Sequence, residues 1–300
     1  MNAETRRAIE LRGVALHQGG RSLLRSIDLT VEEGQACAVV GSNGSGKSAL
    51  LRIVATLCRP TAGRVRVGGW DALAYPERVR PMIGYVPDEP GLAERLTPME
   101  HLLMVAAQRG LGRADRRAAA ESMLDLVDLV EQRQSPVEML SRGQRRRLAI
   151  ALALVHDPPI VLLDEPLAEV DEVGRSELIS VLVELRAMGK TLLLASQAQS
   201  DIAEVADVVV PLVDGSLEPA AVRAATSFTW IEVLGDPIVA VRRLRERPGI
   251  DDVRHEGNFI TFRGPVAPEQ RAEVAEWLVA QGIHLSGLGI TGTPAGGDRP

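Results

Sequence analysis

The sequence predicts an α/β protein: a layered core around a largely parallel sheet, followed by a smaller α+β unit. Three observations carry this. Short, wholly apolar runs alternate with segments at helical spacing from Ala36 to Val213, the pattern of strands buried on both faces and crossed over by helices. One such run leads through a glycine-rich turn into a helix. Beyond a stretch at 217–225 that carries one proline and four alanines, the order changes to strand, helix, strand, strand, helix, strand.

The elements follow in chain order. Ile9–Val14 and Ser26–Val31 are expected strands, punctuated by Gly13, Gly19, Gly20 and Gly34. Ala36–Val40 is a buried strand, and Ser48–Leu57 has helical spacing. Val65–Val67 is a short strand. Residues from Glu94 to about Val130 read as helical, with breaks at Pro98 and Gly110–Gly112. Arg142–Val155 is a further helix. Ile160–Leu163 is a buried strand ending in Asp164, Glu177–Met188 a helix stopped by Gly189, and Thr191–Ala195 and Val208–Val213 two more strands. In the second unit the strands are Phe228–Val233, Ile250–Arg254, Phe259–Arg263 and Ile283–Leu288, and the helices Pro237–Arg247 and Glu269–Gln281. That βαββαβ order fits a ferredoxin-like unit. The expected organisation is a first domain over 8–218 with a helical subdomain at about 89–140, a second domain over 226–290, and a flexible tail over 291–300.

Composition narrows the class. The chain has 300 residues, 45% apolar and 25% charged, with a net charge of −6, so it has no general nucleic-acid footprint. The arginine clusters at Arg145–Arg147 and at Arg242, Arg243 and Arg245 read as solvated helix faces. Cys37 and Cys58 have no metal-ligand spacing and read as reduced, buried thiols of a cytosolic protein. The polar N-terminal stretch does not read as a signal peptide, and no apolar run approaches the ~20 residues of a membrane span. Spans for any membrane process would come from another polypeptide.

Of 34 lysines and arginines, two are lysine: Lys47 and Lys190. One stands inside Gly41-Ser42-Asn43-Gly44-Ser45-Gly46-Lys47-Ser48, which fits G-x-x-x-x-G-K-[ST]. The glycines let successive backbone N–H groups face one anion, and the following helix adds its positive end. The compact Lys47 ammonium would meet the β- and γ-phosphates of a nucleotide, and the Ser48 hydroxyl would ligate Mg²⁺. In Val161-Leu162-Leu163-Asp164-Glu165-Pro166 an apolar strand ends in two carboxylates. Asp164 would stand near the metal and Glu165 would be the base for an attacking water.

Leu140-Ser141-Arg142-Gly143-Gln144 precedes a helix and lies ahead of these carboxylates, and Asp171 follows them. The phosphate loop, this segment and the LLDEP run, in that order, resemble the nucleotide-binding subunits of ABC transporters over about Ile9 to Glu218. The resemblance implies a P-loop ABC ATPase core with a helical subdomain, binding ATP and Mg²⁺. It also implies a head-to-tail pair of ATPase chains, alike or different, in which Ser141, Arg142, Gly143 and Gln144 face the nucleotide held by the partner. Phe228–Leu288 resembles the small C-terminal domain of ABC-2-type export ATPases.

The chain departs from that family's pattern at several positions. Gln18, beside His17, stands where the family has an aromatic on adenine. Asp88, after Ile83-Gly84-Tyr85-Val86-Pro87, stands at the Q-loop glutamine; a carboxylate ligates Mg²⁺ but adds charge beside the γ-phosphate. Gln197 stands at the switch histidine, as a catalytic amide without a charge, and Ala49 replaces a hydroxyl residue in the phosphate-binding segment. The implied function is an ATPase that moves a separate transmembrane permease of an exporter from the cytoplasmic face of the cell membrane, with slow turnover. A regulatory ATP-binding partner with little turnover, and an ABC ATPase outside transport, are the other readings. Leu92, Leu96, Met99, Leu102 and Leu103 form an apolar face, mostly core, in the segment that meets the membrane subunit in the resembled family.

Overall fold

A computed structural model describes residues 6–197, 202, 204–218, 228–234, 237–247, 250–263 and 268–291. The chain divides into two compact units, Met1–Arg223 and Ala224–Pro300. The expected boundary stretch from 219 and the tail from 292 lie outside the described residues.

In the first unit, β1 (Arg7–Gln18) and β2 (Arg21–Glu32) pair antiparallel around a turn at Gly19–Gly20. β3 (Ala36–Val40) leads into α1 (Lys47–Val54), and β4 (Ala62–Val67) and β5 (Trp70–Asp71) follow. Then come α2 (Pro76–Val79), β6 (Ile83–Val86), α3 (Pro98–Gln108), α4 (Asp115–Leu126), α5 (Arg142–Leu154) and β7 (Ile160–Asp164). α6 (Glu172–Ala187), β8 (Thr191–Ser196), β9 (Val208–Val213) and β10 (Ser216–Leu217) complete it. One sheet has the order β2-β1-β4-β5 and is antiparallel; the other has the order β10-β9-β3-β8-β7-β6 and is parallel except for β10.

The parallel sheet is buried on both faces, and the period-2 alternation of its strands divides the core. Ala36, Ala38, Val40, Val161, Leu163, Leu192 and Leu194 pack with residues of α3–α6. Cys37, Val39, Ile160, Leu162, Leu193 and Ala195 face the other way, toward α1 and the antiparallel sheet. At about 25 cal/mol per Å² of apolar surface removed from water, this double burial is why β3, β7 and β8 read as unbroken apolar runs.

Several expectations are corrected. Pro98 starts α3: Thr97 caps it in a reciprocal capping box with Glu100, and proline's fixed φ suits the first helical position. α6 begins at Glu172, five residues early, because the Asp171 side chain accepts the Gly174 N–H at 3.0 Å and outweighs the poor helix formers Val173 and Gly174. Cys37 is buried but Cys58 is only partly so. The Arg145–Arg147 cluster is not a solvated face. Arg147 is 5% exposed, donates to the Val127 and Asp128 carbonyls and pairs with Glu177, while Arg145 donates to the Leu140 and Glu138 carbonyls. Arg242 and Arg245 do lie exposed on their helix. Met99 and Leu102 are buried, with Leu92 and Leu103 packed against the same core.

The second unit contains β11 (Phe228–Leu234), α7 (Pro237–Glu246), β12 (Asp251–Glu256), β13 (Phe259–Arg263), α8 (Pro268–Ala280) and β14 (His284–Thr291). Its antiparallel sheet has the order β12-β13-β11-β14, the ferredoxin-like arrangement. Ile231, Ile260, Phe262, Leu244 and Leu278 lie in its core. Among the described residues, no helix is long and apolar enough to cross a membrane.

Candidate functional site

Four neighbouring strands of the parallel sheet, β3, β8, β7 and β6, end on one edge. Their carboxyl ends release Gly41, Gln197, Asp164–Glu165 and Asp88 respectively. Open α/β sheets bind ligands outside the carboxyl ends of their strands. Here Asn43, Gly44, Gly46, Lys47, Ser48, Ala49, Asp88, Glu165 and Gln197 line one cleft of about 130 Å³. That is well under the ~300–1,000 Å³ of a pocket that encloses a whole drug-sized ligand, so the cleft would hold only part of one.

The loop between β3 and α1 turns tightly. The Gly41 N–H donates to Ser196 O at 3.1 Å, and a Cβ on Gly41 would lie 2.3 Å from Leu212 O. Gly46 caps α1 at φ 109° with no side-chain hydrogen bond, and a Cβ there would lie 2.5 Å from Leu23 O. The first-turn N–H groups of α1 therefore have no side-chain cap. The Ser45 hydroxyl is buried in the same loop without a partner.

Lys47 is 5% exposed. Its ammonium donates to Gly41 O at 2.7 Å and Ser42 O at 3.1 Å and pairs with Glu165 Oε1 at 3.2 Å. All three donors are thus engaged, and the candidate base is neutralised by the candidate phosphate ligand. Glu165 takes φ 47°, a left-handed backbone that costs a non-glycine residue ~1–3 kcal/mol. Its N–H donates to Ala195 O at 2.9 Å, and Oε2 accepts the Gln197 N–H at 3.1 Å. Burial raises the Glu165 carboxyl above its usual range, against the lowering effect of Lys47.

The Ser48 hydroxyl donates to Asp164 Oδ1 at 3.1 Å. Burial raises the Asp164 carboxyl, opposed by that hydrogen bond. No group of three or more His, Cys, Asp or Glu among the described residues would hold a metal alone. A hydroxyl and a carboxylate in contact do fit Mg²⁺, which keeps several waters and takes further oxygens from phosphates. The unpartnered Ser45 hydroxyl and the uncapped helix end likewise fit an anion.

Asp88 lines the cleft, and its Oδ1 pairs with Arg146 at 3.0 Å. Arg146 lies in the arginine run expected as a solvated face, and its place just ahead of the apolar stretch from Leu148 is the sequence signal for its inward position. His17 and Gln18 are exposed at the end of β1 and do not line the cleft. Ser141, Arg142, Gly143 and Gln144 stand apart from it, at the start of α5. There Ser141 Oγ accepts the Gln144 N–H at 3.2 Å and Gln144 Oε1 accepts the Ser141 N–H at 2.9 Å. Arg142 pairs with Glu169 in the open, and Gly143 is buried against Val170 and Gly174.

Residues 24–168 match the family model described as ABC transporter. The chain is 34% identical over 200 residues to the daunorubicin resistance ATP-binding protein DrrA3 of Streptomyces coeruleorubidus, covering 67% of this chain but only 63% of that protein. It is 38% identical over 211 residues to the aliphatic sulfonates import ATP-binding protein SsuB 2 of Pseudomonas aeruginosa, covering 70% of this chain and 73% of that one. A dimeric post-hydrolysis structure of the ATP-binding cassette MJ0796 bound to ADP and Pi superposes with a TM-score of 0.65 at 26% identity, covering 71% of this chain and 97% of that chain.

Proposed function

We propose that this chain, which belongs to the ATP-binding proteins of ABC transporters, is the ATPase subunit that drives a separate transmembrane permease in the export direction. It acts from the cytoplasmic face of the membrane as one of two ATPase chains. The observation that carries this reading is the meeting of Lys47, Ser48, Asp164 and Glu165 at one sheet edge beside an uncapped helix end. Export is supported by the resemblance of Phe228–Leu288 to the C-terminal domain of export ATPases. A relative named for drug resistance fits as well, since ejection of a drug confers resistance. The 38% identity to an import protein favours a second reading, uptake; the direction of substrate movement in vesicles that hold the chain with its permease separates the two.

Each residue has a task. The loop N–H groups and the Ser45 hydroxyl donate to phosphate oxygens. Lys47 exchanges its carbonyl and Glu165 contacts for the β- and γ-phosphates, which frees Glu165 to accept a proton from water. Ser48 and Asp164 hold Mg²⁺, which when bound neutralises charge developing on the phosphates. Ser141 and the start of α5 face the nucleotide of the partner chain. Gln197 and Asp88 in place of a histidine and an amide make turnover slow, in keeping with a weak site paired with a stronger one.

The test is Mg-ATP binding and phosphate release by the parent and Glu165→Gln chains, alone and with permease. Binding should survive the substitution while release falls ~10²–10⁴-fold. The acid limb of parental kcat should sit above the usual 4.5 of a glutamate, because burial raises Glu165 and the base works deprotonated. Binding with no Glu165-dependent release under either condition would leave a regulatory module instead.

A further inference from the structure

Asp88 brings a negative charge to a cleft lined by Glu165 and Lys47, with Asp164 behind it on the Ser48 hydroxyl. Added to a triphosphate, that charge is repulsive. The structure contains its counterweight on a different element. Arg146, in the second turn of α5, has a side chain only 12% exposed. One guanidinium nitrogen donates to Pro87 O at 3.2 Å and the other to Asp88 Oδ1 at 3.0 Å. A planar fork with two donors fixed in space suits such a two-point grip, and a lysine would not reproduce it. The grip takes the backbone and the side chain of consecutive residues, so it sets where the segment after β6 lies as well as its charge. It also joins that segment to the helix that Ser141 caps.

We propose that Arg146 is the positioning residue for the cleft: it clasps Pro87 and Asp88 so that a carboxylate at this edge can coexist with a bound triphosphate. The pair works as a unit. Without Arg146, Asp88 becomes an uncompensated anion beside the phosphates. Without Asp88, Arg146 has nothing to compensate. The inference rests on the ATP reading above.

A double-substitution cycle tests it, with Arg146→Gln, Asp88→Gln and the two together in the full chain. Affinity for a fluorescent ATP analogue is measured without Mg²⁺, half-saturating Mg²⁺ for binding is measured with it, and melting is followed without ligand. Arg146→Gln should weaken Mg-free nucleotide binding about tenfold, the effect of ~1.4 kcal/mol. It should also lower half-saturating Mg²⁺, since the freed carboxylate is open to a cation. Adding Asp88→Gln should restore nucleotide affinity to within about threefold of the parent and abolish the Mg²⁺ shift. Arg146→Lys should fall between parent and Arg146→Gln. Equal losses from Arg146→Gln with and without Asp88 would overturn the proposal, because Arg146 would then act by packing or on the nucleotide itself. If Arg146→Gln does not fold, recovery of folding by the double variant supports the clasp, and failure of both overturns it. A parent chain that binds no nucleotide would defeat the ATP reading, while the ligand-free melting cycle would still decide whether Asp88 and Arg146 are coupled.

Discussion

Two helices of the first unit begin close to a serine and a glycine, and their ends are prepared in opposite ways. α1 starts at Gly46 in a left-handed conformation with no side-chain cap. α5 starts at Ser141 in an extended conformation with a complete capping box. Both ends carry the positive pole of a helix. At α1 the first-turn donors have no side-chain acceptor, and the unpartnered Ser45 hydroxyl lies in the adjoining glycine loop. At α5 the protein supplies its own acceptors: Ser141 Oγ and Gln144 Oε1 satisfy two N–H groups. A hydroxyl that accepts one bond still has its own proton to give, so Ser141 can both cap and contact a phosphate. The first end has no side-chain acceptor of its own; the second is closed by its own side chains.

The sharpest way to break this contrast is to load Gly46. Gly46→Ala places a Cβ 2.5 Å from Leu23 O at φ 109°. The strain of ~1–3 kcal/mol should shift the loop and reduce ATP-analogue affinity by about tenfold or more, read by titration. Undiminished affinity would mean that the uncapped end is not the anion site. Next in size is Ser141→Ala, which removes the cap and should cost ~0.5–2 kcal/mol in urea unfolding. Binding by the isolated chain should be unaffected, whereas phosphate release by the paired chains should fall. Full release with lowered stability would make Ser141 a cap and nothing more. The smallest effect sharpens the comparison. Gln144→Glu keeps the capping box and adds first-turn charge worth ~0.3–1 kcal/mol. It should raise the melting temperature slightly and slow release by the pair through repulsion of the neighbour's phosphate.

Much of this was legible in the chain. Buried strands announce themselves as unbroken apolar runs, so β3, β7 and β8 were readable nearly to the residue. The ferredoxin-like order of the second unit was readable from alternating strand and helix patterns alone. Elements governed by a single cap were placed less well: α3 starts at Pro98 and α6 at Glu172 because Thr97 and Asp171 accept first-turn N–H groups, a hydrogen bond that periodicity does not register. β5 and α2 are too short to show a period at all.

What the sequence determined by itself is the chemistry: a lysine in a glycine loop, two acids ending a strand, a serine opening a helix. These are local facts, set by residue types a few positions apart. What only the tertiary structure decided is which of these charges meet. Lys47 neutralises Glu165 across 118 positions and Arg146 holds Asp88 across 58. Such pairings depend on strand order and on the side of the sheet to which each helix returns, and an ion pair's strength depends on distance and burial in space, to which distance along the chain gives no guide.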